Sequence, residues 1–293
     1  MGTSGPSDGP NPGTPLVPSW LDDAPAGSPP AEGRPPTPDA LPDGPMPGPQ
    51  PPRVPVPLPP LPPPPPPDRF RGARSNFSRF AASGGSDTRA LRRGARDYVR
   101  SGAGGTRNAT KRMGASRTAA RSVLGVFRDF QRDGVGATLR RLNLADLSGR
   151  SLEDVFLGLT DVVCQDGGSI DEGIARDAWL ETVADLGDLA GVDADTLAAD
   201  QMRDAFLSFI AHTIEGRLFQ DIGAKGFKFA ADLAAIESFE RQLRSYIRRS
   251  VRDSFSGDLT APATLSNQQI NAIVDRTYDE AWELMVTFGD AEG

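Results

Sequence analysis

The sequence contains very few of the side chains that most often carry catalysis or bind metals. Among 293 residues there is one cysteine, Cys164, and one histidine, His212. A lone cysteine cannot form an intramolecular disulfide, which fits a reducing compartment. Zinc sites of the usual cysteine and histidine type need more such ligands than the chain has. We expect His212 to lie at the surface or in a hydrogen bond, and Cys164 to fill space at the end of an apolar helix face.

Long hydrophobic segments are missing too. No stretch approaches the roughly 18–20 apolar residues that a membrane-spanning helix needs. The first residues have neither the basic nor the apolar region of a signal peptide, and Pro6 stands where an N-myristoylation motif has Ser or Thr. We therefore expect a cytoplasmic protein with no membrane partner.

Recognisable catalytic motifs are absent as well. There is no G-x-S-x-G nucleophile motif, and the segment GAKG at 223–226 lacks the longer glycine loop and the Lys-Ser/Thr ending of a P-loop. Carboxylates are numerous but are spread over helix faces, where solvation explains them. These absences predict a protein that is not an enzyme and that binds no metal and no cofactor.

Proline is almost absent after residue 67, because 27 of the 28 prolines lie at or before Pro67. Residues 1–20 form a tail, and residues 21–68 form a proline-rich linker. Such segments cannot bury enough apolar surface to offset the entropy of ordering the chain. We predict a long disordered N-terminal region, followed by residues 69–293, which are long enough to form a sizeable core.

Charge divides the chain into three zones. Residues 1–68 carry a net charge of −5, residues 69–122 carry +12, and residues 123–293 carry −14. The basic zone lies in a predicted helical segment at 69–131, and residues 132–293 form an acidic helical domain. The alternative is that residues 69–293 form one domain, in which the basic segment pairs with the acidic half.

Helical periodicity dominates everything after Asp68. Two S-x-x-E/Q capping boxes, Ser169 with Glu172 and Ser266 with Gln269, mark helix starts. The fold class is predicted to be all-α, a bundle of about six to eight helices. The predicted helical segments are 106–131, 151–164, 169–189, 193–219, 227–255 and 266–288.

The basic segment is a candidate binding patch for nucleic acid or for an acidic partner. In RFRGARSNFSRF, arginines alternate with Phe70, Phe77 and Phe80, and mixtures of arginine and aromatic residues can hold phosphates and stack bases. The competing interpretation is an amphipathic pair of helices whose arginines meet the acidic half of the same chain. The candidate patch comprises Arg69, Arg71, Arg74, Arg79, Arg92, Arg93, Arg96, Arg107, Lys111, Arg112, Arg117 and Arg121.

The tail has the features of a linear motif. Removal of the initiator Met leaves Gly2 as an unhindered α-amine, whose pKa of about 7.7–8.0 keeps a fair minority neutral and nucleophilic. Thr3, Ser4 and Gly5 are small enough to enter a narrow active site. The anchor PLVPSW is a low-entropy docking segment, composed of Pro15, Leu16, Val17, Pro18, Ser19 and Trp20.

These segments resemble the QatB family, the Qat anti-phage system associated proteins. The resemblance rests on the opening MGTSGPSDGPNPGTPLVPSW, on RFRGARSNFSRF and RDYVRSGAGGTRNATKRMGAS, and on DVVCQDGGSIDEGIARDAWLETVA. It covers both ends of the chain, and the linker between them is not diagnostic. The family tends to show PLVPPW, so Ser19 is a mild departure that leaves Trp20 in place.

The resemblance implies a component of a four-member bacterial defence operon. Its other members resemble an ATPase (QatA-like), a QueC-like enzyme (QatC-like) and a TatD-like nuclease (QatD-like). QueC-like enzymes activate a 7-deazaguanine carboxylate with ATP and then form an amide with an amine. We therefore expect a tail that is recognised by the QueC-like partner and modified at Gly2. The alternative is an adaptor or scaffold that recruits phage nucleic acid to the nuclease.

Overall fold

The computed structural model describes residues 68–164, 168–223 and 233–291, and the side chains of 233–235 are not described. All of these residues belong to one compact unit, Pro62–Gly293. The predicted tail and linker, including Gly2 and the PLVPSW anchor, lie outside the described residues. The start of the predicted helix 227–255 lies outside them as well.

The described residues form eleven α-helices. Their bounds are α1 Arg71–Ala82, α2 Thr88–Asp97, α3 Thr106–Lys111, α4 Gly114–Asp133, α5 Val135–Arg141, α6 Leu152–Gly158, α7 Thr160–Val163, α8 Ile170–Ala184, α9 Ala199–Ile222, α10 Leu233–Ser254 and α11 Asn267–Asp290.

The predicted all-α bundle is confirmed, since no strand occurs in the part of the chain that the structure describes. Seven of the helices have ten residues or more, and the other four are short. A π-helical turn, Tyr98–Gly102, follows α2 directly. Helices of fewer than ten residues are marginally stable in water when isolated, so tertiary packing must stabilise the four short helices.

Both predicted capping boxes are present at helix starts. The Ser169 hydroxyl accepts from the Glu172 amide at the start of α8, and the Glu172 carboxylate accepts from the Ser169 amide. Ser266 and Gln269 make the same reciprocal pair at the start of α11. Such pairs satisfy amides that have no partner within the helix.

Two predicted helices are divided in the structure. The segment 106–131 is split into α3 and α4 around Arg112 and Met113, and 151–164 is split into α6 and α7 at Leu159. Both Met113 and Leu159 are buried, so each break turns an apolar side chain into the core. The helical periodicity of the sequence therefore did not predict these two breaks.

Aromatic side chains from elements that are far apart in sequence meet in the core. Phe80 of α1 lies 5.5 Å from Phe239 of α10, measured between ring centroids. Tyr98 stacks on Phe70 at 5.4 Å, with an interplanar angle of 16°, and packs against Trp282 of α11 at 5.7 Å. The basic segment is therefore part of the same core as the acidic half.

Candidate functional sites

The basic segment buries the aromatic residues that could have stacked on bases. Phe70 is 5% exposed, and Phe77 and Phe80 are each 0% exposed. Stacking on a base needs an accessible ring face. The three rings instead pack against α2, the π-helical turn and α10, in line with the interpretation of α1 and α2 as an amphipathic pair.

Several arginines of the segment form ion pairs with carboxylates of the acidic half. Arg117 and Arg121 both reach Asp275 of α11, at 2.6 and 2.7 Å. Arg100 reaches Asp290 at the end of the same helix, at 2.5 Å. The opposite charges seen in the sequence thus meet within one chain along α11. Pairs this exposed contribute little individually.

Asp221, near the end of α9, is the most buried of these carboxylates, with a side chain that is 9% exposed. Its two oxygens accept from Arg112 and from the Tyr98 hydroxyl, each at 2.7 Å, and Arg217 lies 3.4 Å away. Burial and then the Asp221 charge raise the pKa of Tyr98, so this hydroxyl stays protonated and donates. Asp221 therefore ties the basic segment to α9.

The remaining members of the candidate patch differ in exposure. Arg74 donates to the Ile222 carbonyl at the end of α9, and Arg96 lies 4.0 Å from Asp290. Arg69, Arg92 and Arg93 are half-buried. The exposed members are Arg71, Arg79, Arg107 and Lys111.

The single histidine is buried and hydrogen-bonded. His212 lies on α9 and is 4% exposed. Its Nε2 is 2.7 Å from Asp185 Oδ2, and the same carboxylate pairs with Arg248 of α10 and accepts from Ser208. Burial would raise the pKa of Asp185, but the His212 hydrogen bond and the Arg248 charge outweigh it and leave that pKa below its ordinary value.

A surface pocket of about 440 Å³ opens beside His212, between α8, α9 and α10. Glu215, one turn after His212 and 6% exposed, lines it together with Glu181 of α8 and Arg244 of α10. The Arg244 Nε donates to both carboxylate oxygens of Glu215, each at 3.1 Å. Sequence reasoning missed this pocket, because it is formed by three helices and no local motif marks it.

Cys164 is a packing residue in the structure. It is 1% exposed, and its Sγ lies 3.5 Å from the Ala175 carbonyl of α8. Burial raises the pKa of the thiol to about 11. A nucleophilic cysteine needs the opposite shift, so the geometry offers no activated thiol here.

The described residues contain neither a cluster of metal ligands nor a membrane-spanning helix. No group of three or more His, Cys, Asp or Glu side chains there could hold a metal ion. None of the described helices combines the length and the apolar character needed to cross a membrane. Fold and sites together define an all-α protein with an internally paired charge pattern and a polar pocket.

The comparison with protein families identifies the chain more closely. A family model described as Qat anti-phage system associated protein QatB matches residues 104–285. Since this match covers more than half of the chain, the protein belongs to the QatB family, whose members are associated with the Qat anti-phage system. The matched region contains the His212 pocket and the Asp275 ion pairs, and it leaves out α1 and α2. No curated protein and no solved structure matches the chain.

Proposed function

We propose that this protein is a non-enzymatic component of its anti-phage system, and that a QueC-like enzyme recognises its N-terminal tail and modifies Gly2. The observation that supports the proposal most strongly is membership of the QatB family, combined with a tail that contains Gly2 and no lysine in residues 1–68. Without nearby lysines, no ε-amine competes with the α-amine of Gly2.

The proposed reaction joins a 7-deazaguanine to the protein through an amide. The partner would activate the deazaguanine carboxylate as an acyl-adenylate with ATP, releasing pyrophosphate. The neutral α-amine of Gly2 would then attack the acyl carbon, AMP would leave, and the amine would lose a proton. The α-amino pKa of about 7.7–8.0 leaves enough neutral amine for this attack in the cytoplasm, where we place the reaction.

The tail anchor and the helical body would have separate partners. Trp20, with the preceding Pro15–Pro18 segment, would dock in a groove of the QueC-like enzyme. The folded body would contact the ATPase or the TatD-like nuclease. Docking through prolines and tryptophan depends little on salt, whereas phosphate binding by arginines weakens steeply as salt rises.

The test is the mass of the N-terminal peptide of this protein, isolated from cells with and without the QueC-like partner. We expect an added mass on Gly2 only when the partner is present. In Gly2→Glu the large second side chain retains the initiator Met, so the adduct should be lost, while Thr3→Ala should keep it. An unmodified Gly2 in both strains, under conditions where defence works, would contradict the proposal.

The adaptor alternative predicts a different pattern. In that case the Arg107→Ala/Lys111→Ala variant, which changes exposed members of the basic patch, should abolish defence while Gly2 variants remain active. The burial of Phe70, Phe77 and Phe80 and the internal ion pairs of Arg112, Arg117 and Arg121 do not favour this alternative.

A further inference from the structure

Three large apolar side chains are exposed in the part of the chain that the structure describes. They are Leu157 of α6, which is 46% exposed, Leu180 of α8, which is 41% exposed, and Ile170 at the start of α8, which is 63% exposed. A single exposed apolar residue is ordinary, but exposed apolar residues that adjoin each other can form a protein-binding surface. The question is therefore whether any of the three are neighbours.

The two leucines are neighbours, because α6 and α8 run antiparallel where they meet. The Trp179 indole Nε1 donates to the Phe156 carbonyl at 3.0 Å, and Arg176, three residues earlier in α8, pairs with Asp161 of α7 at 2.8 Å. A later residue of α6 and α7 thus meets an earlier residue of α8. The residues that follow Phe156 and Trp179 are the two exposed leucines, and this pairing places them side by side.

The surface around the leucines carries an excess of negative charge. Residues 151–202 contain thirteen Asp and Glu and a single basic residue, Arg176, which is already paired. Glu153 and Asp154 lie on α6 within four residues of Leu157, and Asp177 lies three residues before Leu180 on α8. These three carboxylates are exposed, and none of them forms an ion pair with another described residue. The leucines are therefore flanked by unpaired carboxylates on both helices.

This chain does not itself offer a suitable occupant among its described residues. A second copy that used the same face would bring carboxylates against carboxylates, and like charges at an interface are unfavourable. The exposed arginines and lysine of α1–α3 are basic, but no large apolar side chain is exposed beside them. The charge and the two leucines together favour a different protein, one that is basic and has an apolar stripe.

We propose that the α6–α8 surface, formed by Glu153, Leu157, Asp177, Leu180 and Ala184, docks a basic amphipathic helix of a partner protein. Two packed helices leave a groove along their line of contact, and an amphipathic helix lays its apolar face into such a groove. Apolar side chains of the partner would cover the leucines, and its Lys and Arg side chains would reach the flanking carboxylates. The proposal concerns the helical body and does not depend on modification of Gly2.

The test is photo-crosslinking of the full chain in cells where defence works. The photoreactive residue p-benzoylphenylalanine replaces Ala184, an exposed residue one turn after Leu180, or Ala272, an exposed alanine of α11 that serves as the matched control. We expect an adduct from position 184 only, and mass spectrometry should map it to a segment of another protein that is basic and has apolar residues at helical spacing. The absence of an adduct, an adduct with a second copy, or an adduct with a segment that is not basic would overturn the proposal.

The leucines are tested by Leu157→Ser/Leu180→Ser in the chain that carries the photoreactive residue at position 184. The adduct yield should fall about tenfold, because the partner can no longer bury two half-exposed leucines. Ile170→Ser removes a more exposed aliphatic side chain, ten residues or about 15 Å away from Leu180 along α8, and should leave the yield unchanged. Equal yields in the two variants would contradict the proposal.

The carboxylates provide a second test that leaves the apolar surface intact. Glu153→Gln/Asp177→Asn should lower the adduct yield about fivefold, as expected for the loss of two exposed ion pairs. The matched control, Asp195→Asn/Glu283→Gln, changes the net charge equally at exposed positions outside the α6–α8 surface and should have no effect. A yield that is the same in both variants would mean that the partner is not recognised by its positive charge.

Discussion

Asp221 shows how strongly one carboxylate can matter to this fold. It is almost buried and accepts from Arg112 and Tyr98. We expect Asp221→Ala to lower the free energy of unfolding by about 2–4 kcal/mol, because it leaves a partly buried guanidinium and a buried hydroxyl without their acceptor. Urea denaturation would measure this loss. The matched change Asp290→Ala, at a site with a 40% exposed side chain, should cost less than about 1 kcal/mol.

Asp185 makes a pH-dependent contribution to stability. Its pKa in the folded protein is lower than the ordinary value of 3.8, so the unfolded chain binds protons more readily. The stabilisation is therefore fully present above the ordinary pKa and is lost as the pH falls through the folded pKa. Denaturation of the wild type and of Asp185→Asn at pH values from 7 to 3 should show their stability difference shrinking in acid. A difference that stays constant over this range would contradict the assignment.

Cys164 should react slowly in the folded protein. Its pKa of about 11 leaves about one thiolate in a thousand at pH 8, and the sulfur is buried. We expect labelling by iodoacetamide to be negligible in buffer and to become fast in denaturing urea. Rapid labelling of the native protein, followed by mass spectrometry, would show that the thiol is accessible after all.

At the scale of elements, the space around a glycine Cα shows how closely two helices approach each other. A Cβ on Gly289 of α11 would lie 2.4 Å from Arg96 Cβ and 2.7 Å from the Arg92 carbonyl oxygen of α2. Gly289→Ala should therefore push α2 and α11 apart and destabilise the protein by about 1–3 kcal/mol. Gly125, inside α4, has nothing within 4 Å of the same position, so Gly125→Ala should stabilise it by about 0.5–1 kcal/mol. Thermal unfolding of the two variants would reveal the opposite signs.

The local patterns predicted some elements well and others poorly. The starts of α8 and α11 follow from their capping boxes, since a capping box is a contact within four residues. The division of 106–131 into α3 and α4 does not, because the break at Met113 depends on burial in the core. The sequence could not show whether the three phenylalanines of the basic segment are buried or exposed, for the same reason. Their burial depends on contacts with residues that are distant in sequence, such as Tyr98 and Phe239.

At the scale of the whole molecule, the basic segment is held against the acidic half partly by ion pairs. Raising NaCl from 0.1 to 1 M shortens the screening length from about 10 to 3 Å. We expect this change to reduce the free energy of unfolding by roughly 1–2 kcal/mol. Urea denaturation at both salt concentrations would measure this free energy. The double variant Arg117→Gln/Arg121→Gln removes both partners of Asp275, so added salt should reduce its free energy of unfolding by less than that of the wild type. An equal salt effect in both proteins would mean that these pairs do not contribute.

One candidate site was predicted from the sequence, and the other is visible only in the tertiary structure. The tail was found from composition and resemblance, because a linear motif is local by nature, and its role remains a prediction. The family assignment rests on residues 104–285. The His212 pocket could not be predicted, since Glu181, His212 and Arg244 come from three helices and are brought together only by packing.

The sequence by itself determined the helical class, the scarcity of catalytic side chains and the separation of charge, because each depends on composition or on contacts within a few residues. Only the tertiary structure decided what the charges do. The arginines of the basic segment could have faced a partner, and the structure shows Arg112, Arg117 and Arg121 paired with Asp221 and Asp275. Ion pairs between residues more than a hundred positions apart depend on how the helices pack, and helical periodicity carries no information about that.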